Sequence, residues 1–247
     1  MKSERKISIV TGAAKGIGKA TSIKLAEKGF TVILADIDKI GLEKAVKDIK
    51  KSGIFAEALI LDIANVEQIN RTISYIIEKY KRIDVLVNNA GIFSNTPILE
   101  MTEKEWNKVL NVNLKGTFFL SKAVLPIMME QRYGKIINMS SLSAKRGGST
   151  SGVNYGASKA GVISITKYLA KFCAPYRINI NAVVPGFVDT DMIKMHTSDI
   201  DKLIESIPLG YIAKCEEIAN VISFLVSEDS SYITGEILDV NGGVLMD

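Results

Sequence analysis

Apolar, β-branched runs that alternate with longer helix-period segments predict an α/β fold: a doubly wound, seven-stranded parallel sheet with helices on both faces. Two further observations agree. Hydrophobic residues make up 47% of the 247-residue chain, yet no run of eighteen apolar residues occurs. The apolar surplus therefore belongs to a sheet covered on both faces, not to a membrane span. No repeat, low-complexity tract or Pro/Gly linker interrupts the alternation, so residues 1–247 read as a single domain.

The elements follow in order. Lys-Ile-Ser-Ile-Val at 6–10 is the first strand, and it delivers Thr11 and Gly12 to its carboxyl edge. Helix formers at apolar spacing cover 18–28, and Thr-Val-Ile-Leu-Ala at 31–35 is the second strand. A helix over 42–51 leads to a strand over 55–61, and a helix over 66–79 leads to a strand over 83–88. The longest helix-period segment, 103–132, precedes the fifth strand at 134–139. A helix over 155–172 joins the sixth strand, 177–184, and a last helix over 216–227 precedes the seventh, 236–240. Right-handed crossovers then put the ligand at the carboxyl ends of the strands, where the winding reverses.

Composition removes several classes of function. The 31 basic and 27 acidic residues are scattered, and no basic cluster is interleaved with aromatics as a nucleic-acid groove requires. Only Cys173 and Cys215 are present, together with a single histidine, His196, so neither a disulfide framework nor a metal site is expected. The first ten residues run from charges into a strand with no apolar stretch or cleavage site. A cytoplasmic protein is expected.

The run Thr-Gly-Ala-Ala-Lys-Gly-Ile-Gly at 11–18 sits between the first strand and the first helix. Gly12, Gly16 and Gly18 allow backbone to approach a pyrophosphate at the positive helix N-terminus. A Walker A loop would need glycine where Ile17 stands, and Thr21 breaks the G-x-G-x-x-G spacing. The next strand leads to Asp36, eighteen residues past Gly18, where a carboxylate can accept both ribose hydroxyls of an adenosine. Asp62, after the third strand, is placed for the adenine edge. A dinucleotide cradle of Rossmann type results.

Two Tyr-x-x-x-Lys pairs occur, Tyr75/Lys79 and Tyr155/Lys159. Only Tyr155 has a serine, Ser141, fourteen residues upstream of it; Tyr75 and Lys79 read as an exposed helical pair. With these motifs in order, the chain resembles the short-chain dehydrogenase/reductase family over nearly its whole length. The matching segments are the glycine run at 11–18, Asp62, Asn88-Asn-Ala-Gly91, Asn113 in Asn-Val-Asn-Leu, Ser141, Tyr155-x-x-x-Lys159 and Pro185-Gly186. The resemblance implies cofactor contact from Gly12, Lys15, Gly16, Ile17, Gly18, Asp36, Asp62, Ile63, Asn89, Ala90, Gly91, Tyr155, Lys159, Pro185, Gly186, Val188 and Thr190. It also maps a catalytic tetrad onto Asn113, Ser141, Tyr155 and Lys159.

The chemistry is coherent with that mapping. Reducing a ketone takes a hydride on one face of the carbonyl carbon and an acid at its oxygen, and Tyr155 is the acid. A free phenol has a pKa near 10, and a cation about 4 Å away at an effective dielectric of ~20 is worth ~4 kcal/mol. Lys159 is thus expected to draw Tyr155 down toward its working range and to hold the nicotinamide ribose. Ser141 would hydrogen-bond the carbonyl oxygen, and Asn113 would position a water that returns protons.

Substrate and cofactor preference rest on finer signals. Pro185-Gly-Phe-Val-Asp-Thr-Asp-Met192, Ile207-Pro-Leu-Gly210, Glu217-Ile-Ala-Asn220 and Tyr232-Ile-Thr-Gly-Glu236 are most similar to 3-oxoacyl-(acyl-carrier-protein) reductases. Similar segments occur in NAD-dependent sugar, polyol and small secondary alcohol dehydrogenases, which stand as the alternative. A catalytically silent nucleotide-binding reporter would be free to lose the tetrad, and the tetrad is intact. The substrate loop falls around 190–210, with 143–154 as its counterpart. Arg132 matches an arginine that such reductases use to dock the acyl carrier protein, whereas Tyr176 stands in place of the second and Tyr211 replaces another frequent arginine. Asp36, with Ile37 beside it, favours NAD over NADP, against the single opposing signal of Lys15. A homotetramer is expected from the resemblance and from the apolar faces of 103–132 and 156–172.

Overall fold

The computed structural model describes residues 5–51, 53–147, 151–191, 193 and 199–246. His196 and Met192 lie outside the described residues. Seven parallel strands form one sheet in the order β3-β2-β1-β4-β5-β6-β7. They are β1 (Ile7–Thr11), β2 (Thr31–Asp36), β3 (Ala56–Ile60), β4 (Val85–Asn88), β5 (Gly134–Met139), β6 (Ile178–Pro185) and β7 (Ile237–Val240). Chain order reverses between β1 and β4, whose register pairs Val10 with Val87. The carboxyl edge beside Thr11 and Asn88 is therefore the switch point at which such sheets bind ligands.

The helices are α1 (Gly16–Glu27), α2 (Lys39–Lys50), α3 (Val66–Tyr80), α4 (Glu103–Leu110), α5 (Thr117–Gln131), α6 (Leu142–Arg146), α7 (Val153–Cys173), α8 (Ile200–Glu205) and α9 (Cys215–Leu225). Alternate strand residues feed two cores. Val10, Val32 and Leu34 pack with Leu25, Leu42 and Ile222 on one face. Ile9, Ile33 and Ile136 pack with Ile69, Leu120 and Leu169 on the other. Covering both faces explains the near-continuous apolar strands.

Most element ends agree with the sequence reading to within two residues; larger departures are few. The expected helix over 103–132 is two helices, α4 and α5, joined by a π-helical turn at Asn111–Gly116. The wider turn fits because position 116 is glycine, since a Cβ there would lie 2.7 Å from the Ile63 carbonyl oxygen. Helix α2 begins at Lys39 and not at 42, because the Asp38 side chain accepts from the Gly41 amide and caps the extra turn. Helices α6 and α8 are too short to carry a readable periodicity.

Candidate active site

The glycine turn is held in place by its neighbours before any ligand is considered. Thr11 Oγ1 accepts the Asn89 and Ala90 amides, both at 3.0 Å, and donates to the Val87 carbonyl at 3.3 Å. Asn89 returns the contact: its Nδ2 donates to the carbonyls of Thr11 at 2.9 Å and Gly12 at 3.2 Å. These bonds stitch the end of β1 to the end of β4. Gly12 has φ of +64°, and a Cβ on Gly18 would lie 2.1 Å from the Gly12 carbonyl oxygen. No side chain fits at either position.

Helix α1 then starts with its amides unclaimed by any side-chain cap and with no acidic residue in its first turn. By contrast, α2, α3 and α4 are capped by Asp38, Asn65 and Thr102. Uncapped amides at a positive helix end suit a pyrophosphate, so the turn fits the dinucleotide expected there. Asp36 stands at the carboxyl end of β2, its Oδ2 accepting the Ala14 amide at 3.1 Å and its Oδ1 the Asp38 amide at 3.0 Å. Those bonds fix the carboxylate beside the turn. Asp62 is exposed and accepts the Ala64 amide at 2.9 Å, while Ile63 is buried against Gly116. On the far side, Pro185 ends β6, and Gly186 lies so close to Asn241 that a Cβ would meet its Cα at 2.8 Å. Val188 is buried and bridges to Ala213; Thr190 approaches Gly16, with 3.5 Å between its Cγ2 and a Cβ placed on the glycine.

The tetrad assembles at the same edge. Ser141 caps α6 by accepting the Ser143 amide at 3.2 Å, and its hydroxyl lies near enough to Tyr155 on α7 to act on the phenol's proton. Lys159 Nζ lies 5.9 Å from the Tyr155 ring centroid and donates to the Met139 carbonyl at 2.8 Å. A Cβ on Gly91 would lie 3.2 Å from Asn113 Oδ1 and 3.3 Å from Lys159 Nζ, so these two side chains flank the loop after β4. Tyr75 and Lys79, in contrast, lie on the outer face of α3, where both bond to Glu57 at 2.8 Å.

Burial sets the charge states. Desolvation pushes the Tyr155 phenol above its ordinary value, and the Ser141 hydrogen bond offsets only part of that. Desolvation also pulls the Lys159 ammonium down from 10.5 to about 8. The expectation that Lys159 lowers Tyr155 is thus corrected. The ammonium gives one of its donors to the Met139 carbonyl, and burial dominates at both residues. A phenol held protonated is the form that gives a proton to a carbonyl oxygen.

Asn113 is held through its side chain. Its Oδ1 accepts the Ile92 amide at 2.8 Å, and its Nδ2 donates to the Ile92 carbonyl at 2.9 Å and to Ser158 Oγ at 3.1 Å. The side chain thus clamps the loop after β4, and the Asn113 carbonyl oxygen accepts from Thr117 Oγ1 at 2.8 Å.

Several contributors were not apparent as site residues in the sequence. Thr11 knots the loop, Ser158 supports Asn113, and Ser140 Oγ donates to the Lys159 carbonyl at 2.9 Å. Phe93 packs on Tyr155, with ring centroids 5.0 Å apart. Farther back, Asn88 Nδ2 donates to Ser121 and Asn138, and Asn138 Nδ2 donates to Thr166, which ties α5 and α7 to the sheet. The signal for Thr11 and Phe93 was adjacency to the motifs; the others are small polar residues with no distinguishing spacing. The two cysteines pack: Cys173 is buried, its thiol pushed up to about 11 by desolvation, and Cys215 donates to the Asp189 carbonyl at 3.4 Å.

Comparison with known proteins agrees with this geometry. A family model described as enoyl-(acyl carrier protein) reductase matches residues 12–245. The 3-oxoacyl-(acyl-carrier-protein) reductase of Thermotoga maritima is 43% identical over 247 residues, covering 100% of both chains. That of Aquifex aeolicus is 42% identical over 246 residues, covering 99% of each. A solved structure titled crystal structure of gox2181 superposes with a TM-score of 0.94 at 34% identity, covering 98% of this chain and 96% of that one. Among the described residues, no helix is long and apolar enough to cross a membrane.

Proposed function

The chain belongs to the short-chain dehydrogenase/reductase family, and on that premise we propose that it reduces the ketone of a 3-oxoacyl thioester to the 3-hydroxyacyl thioester with NADH. The observation that carries the reading is the grouping of Ser141 at the start of α6 with Tyr155 and Lys159 on α7, at the switch-point edge: the Ser141 hydroxyl acts on the Tyr155 phenol, and Lys159 Nζ lies 5.9 Å from its ring. The cofactor supplies a hydride when bound. Tyr155 donates the proton to the ketone oxygen, and Ser141 steadies the charge that develops there. Lys159 orients α7's reactive end through the Met139 carbonyl and lies where it can hold the cofactor's ribose. Asn113 fixes the loop after β4, which forms the cofactor's other wall, and its backbone carbonyl positions the water that resupplies Tyr155.

The relatives' names support a 3-oxoacyl substrate over enoyl reduction, as does the presence of two hydroxyls for one oxygen. NAD is favoured because Asp36 sits at the ribose position with Ile37, not a cation, beside it, and because Lys15 is paired with Asp191 at 2.9 Å. The acyl group arrives on a carrier protein or on coenzyme A. Arg132 is exposed at the end of α5 and donates to the Pro175 carbonyl, which leaves a cation at the surface for an acidic carrier, while Tyr176 stands where a second arginine would. The enzyme acts in the cytoplasm as a homotetramer; Tyr168 and Phe172, stacked at 6.5 Å and 70% and 52% exposed on α7, supply an apolar face for a second copy.

A substrate panel with both cofactors tests the reading. Acetoacetyl-CoA should be reduced with NADH at a higher kcat/KM than with NADPH. Reduction of a diketone or ketose without thioester activity would transfer the assignment to a sugar, polyol or small-alcohol dehydrogenase. An NADPH kcat/KM equal to or above that of NADH would overturn the cofactor preference.

A further inference from the structure

The ion pair of Lys15 and Asp191 ties the glycine turn to the segment that follows β6, Nζ to Oδ2 at 2.9 Å, with side chains 68% and 61% exposed. Lys15 is the N-cap of α1 and the only cation within 11–18. It stands over an acidic corner: Asp36 and Asp38 also act on its charge, after Asp191, and together they hold its proton more firmly than in water. A ribose 2′-phosphate entering that corner would meet like charge from Asp36 and Asp38, so it needs a cation to offset them. The neighbouring lysines are engaged, Lys19 with Asp48 at 2.7 Å and Lys39 with Glu43 at 3.9 Å. Ile37, 70% exposed, offers no charge. Whether this protein accepts a 2′-phosphate therefore turns on where the Lys15 ammonium is held.

We propose that Asp191 is a specificity-determining residue for the nicotinamide cofactor that acts through Lys15: by engaging the ammonium, it withholds the turn's cation from the ribose 2′ position and so favours NAD(H) over NADP(H). The inference rests on the hydride-transfer reading above. Asp191 acts through the Lys15 ammonium and is a positioning residue.

The test is a cycle of Asp191→Asn and Lys15→Met, alone and together. Dissociation constants for NADPH and NADH are read by titration calorimetry on the intact protein, with kcat/KM for both cofactors alongside. Asp191→Asn should shift the ratio of the two dissociation constants toward NADPH by about fivefold, the size of an exposed charge contact released to a new partner. In the Lys15→Met background the same change should leave the ratio nearly unmoved. An unchanged ratio in Asp191→Asn overturns the proposal, and so does an equal shift in both backgrounds, which would mean that Asp191 repels the phosphate directly. If the unaltered protein prefers NADPH, the NAD assignment fails, yet the change in ratio between unaltered protein and variant still decides the role of Asp191.

Discussion

Replacing Lys159 by Met should make the protein inactive and, at the same time, change how its stability depends on pH. Lys159 is 5% exposed and its ammonium falls from 10.5 to about 8 in the folded chain. Below about pH 8 both folded and unfolded chains keep the proton, and the full cost of burying the charge is present. Between about 8 and 10.5 the folded chain has released the proton while the unfolded chain still holds it, so stability rises with pH across that window. At about 1.4 kcal/mol per pH unit, the charge costs about 3 kcal/mol at neutral pH. Methionine removes that cost and also leaves the Met139 carbonyl without its donor, a loss of about 1–3 kcal/mol that does not depend on pH. Tyr155, whose raised phenol makes the fold lose stability above about pH 10, is common to both proteins and cancels. The stability of Lys159→Met relative to the unaltered protein should therefore decline by about 3 kcal/mol as pH rises from 7 to 10.5. Urea unfolding at fixed protein concentration, in unit steps of pH, measures it. A stability difference that stays constant over the range would refute the desolvation argument for Lys159.

Further outcomes follow from the same contacts. Asn113→Ala should destabilise the fold by about 2–5 kcal/mol in urea unfolding, because both polar groups of Ile92 lose their partner in a buried site; a change below about 0.5 kcal/mol would show that the clamp is not formed. Gly18→Ala should abolish cofactor binding in calorimetry, since its methyl would meet the Gly12 carbonyl at 2.1 Å; retained affinity would contradict the turn geometry. Glutamate at both Tyr168 and Phe172 should reduce the assembly to smaller particles in sedimentation, and a 26.9 kDa particle from the unaltered protein at micromolar concentration would dispose of the tetramer. The pH profile of kcat/KM should fall through about pH 8 as Lys159 loses its proton; a flat profile through that range would remove the charged lysine from the mechanism.

What the sequence disclosed, and what it hid, has physical causes. All seven strands were legible because a sheet covered on both faces demands mostly apolar runs, and a run such as 32–35 leaves little room for another reading. Tyr155, Lys159 and Ser141 could be singled out because a proton-transfer site would need those groups at that spacing, and the fold groups them at one sheet edge. The π turn at Asn111–Gly116 was not, since the apolar period continues through it and only the close approach of Gly116 to the Ile63 carbonyl selects the wider turn. Nor could the sequence say that Asn113 spends its whole side chain on Ile92 and Ser158, or that Lys159 prefers the Met139 carbonyl to the phenol. Those choices depend on which polar groups meet in the folded interior. A motif fixes residue types, and packing then decides charge and partner. The lone signal of Lys15 had a similar fate: its meaning changed once Asp191 was found within 2.9 Å of it.

The most direct test of the account is the rate of acetoacetyl-CoA reduction with NADH by the unaltered protein and by Tyr155→Phe, with Tyr75→Phe beside them. The unaltered protein should turn the thioester over, and Tyr155→Phe should lose at least about a hundredfold of kcat while binding NADH nearly as well, because one hydroxyl gives the proton. Tyr75→Phe should retain full activity, its hydroxyl being committed to Glu57 on the outer face of α3. Absence of thioester reduction in the unaltered protein, or equal losses from the two tyrosine substitutions, would contradict the account.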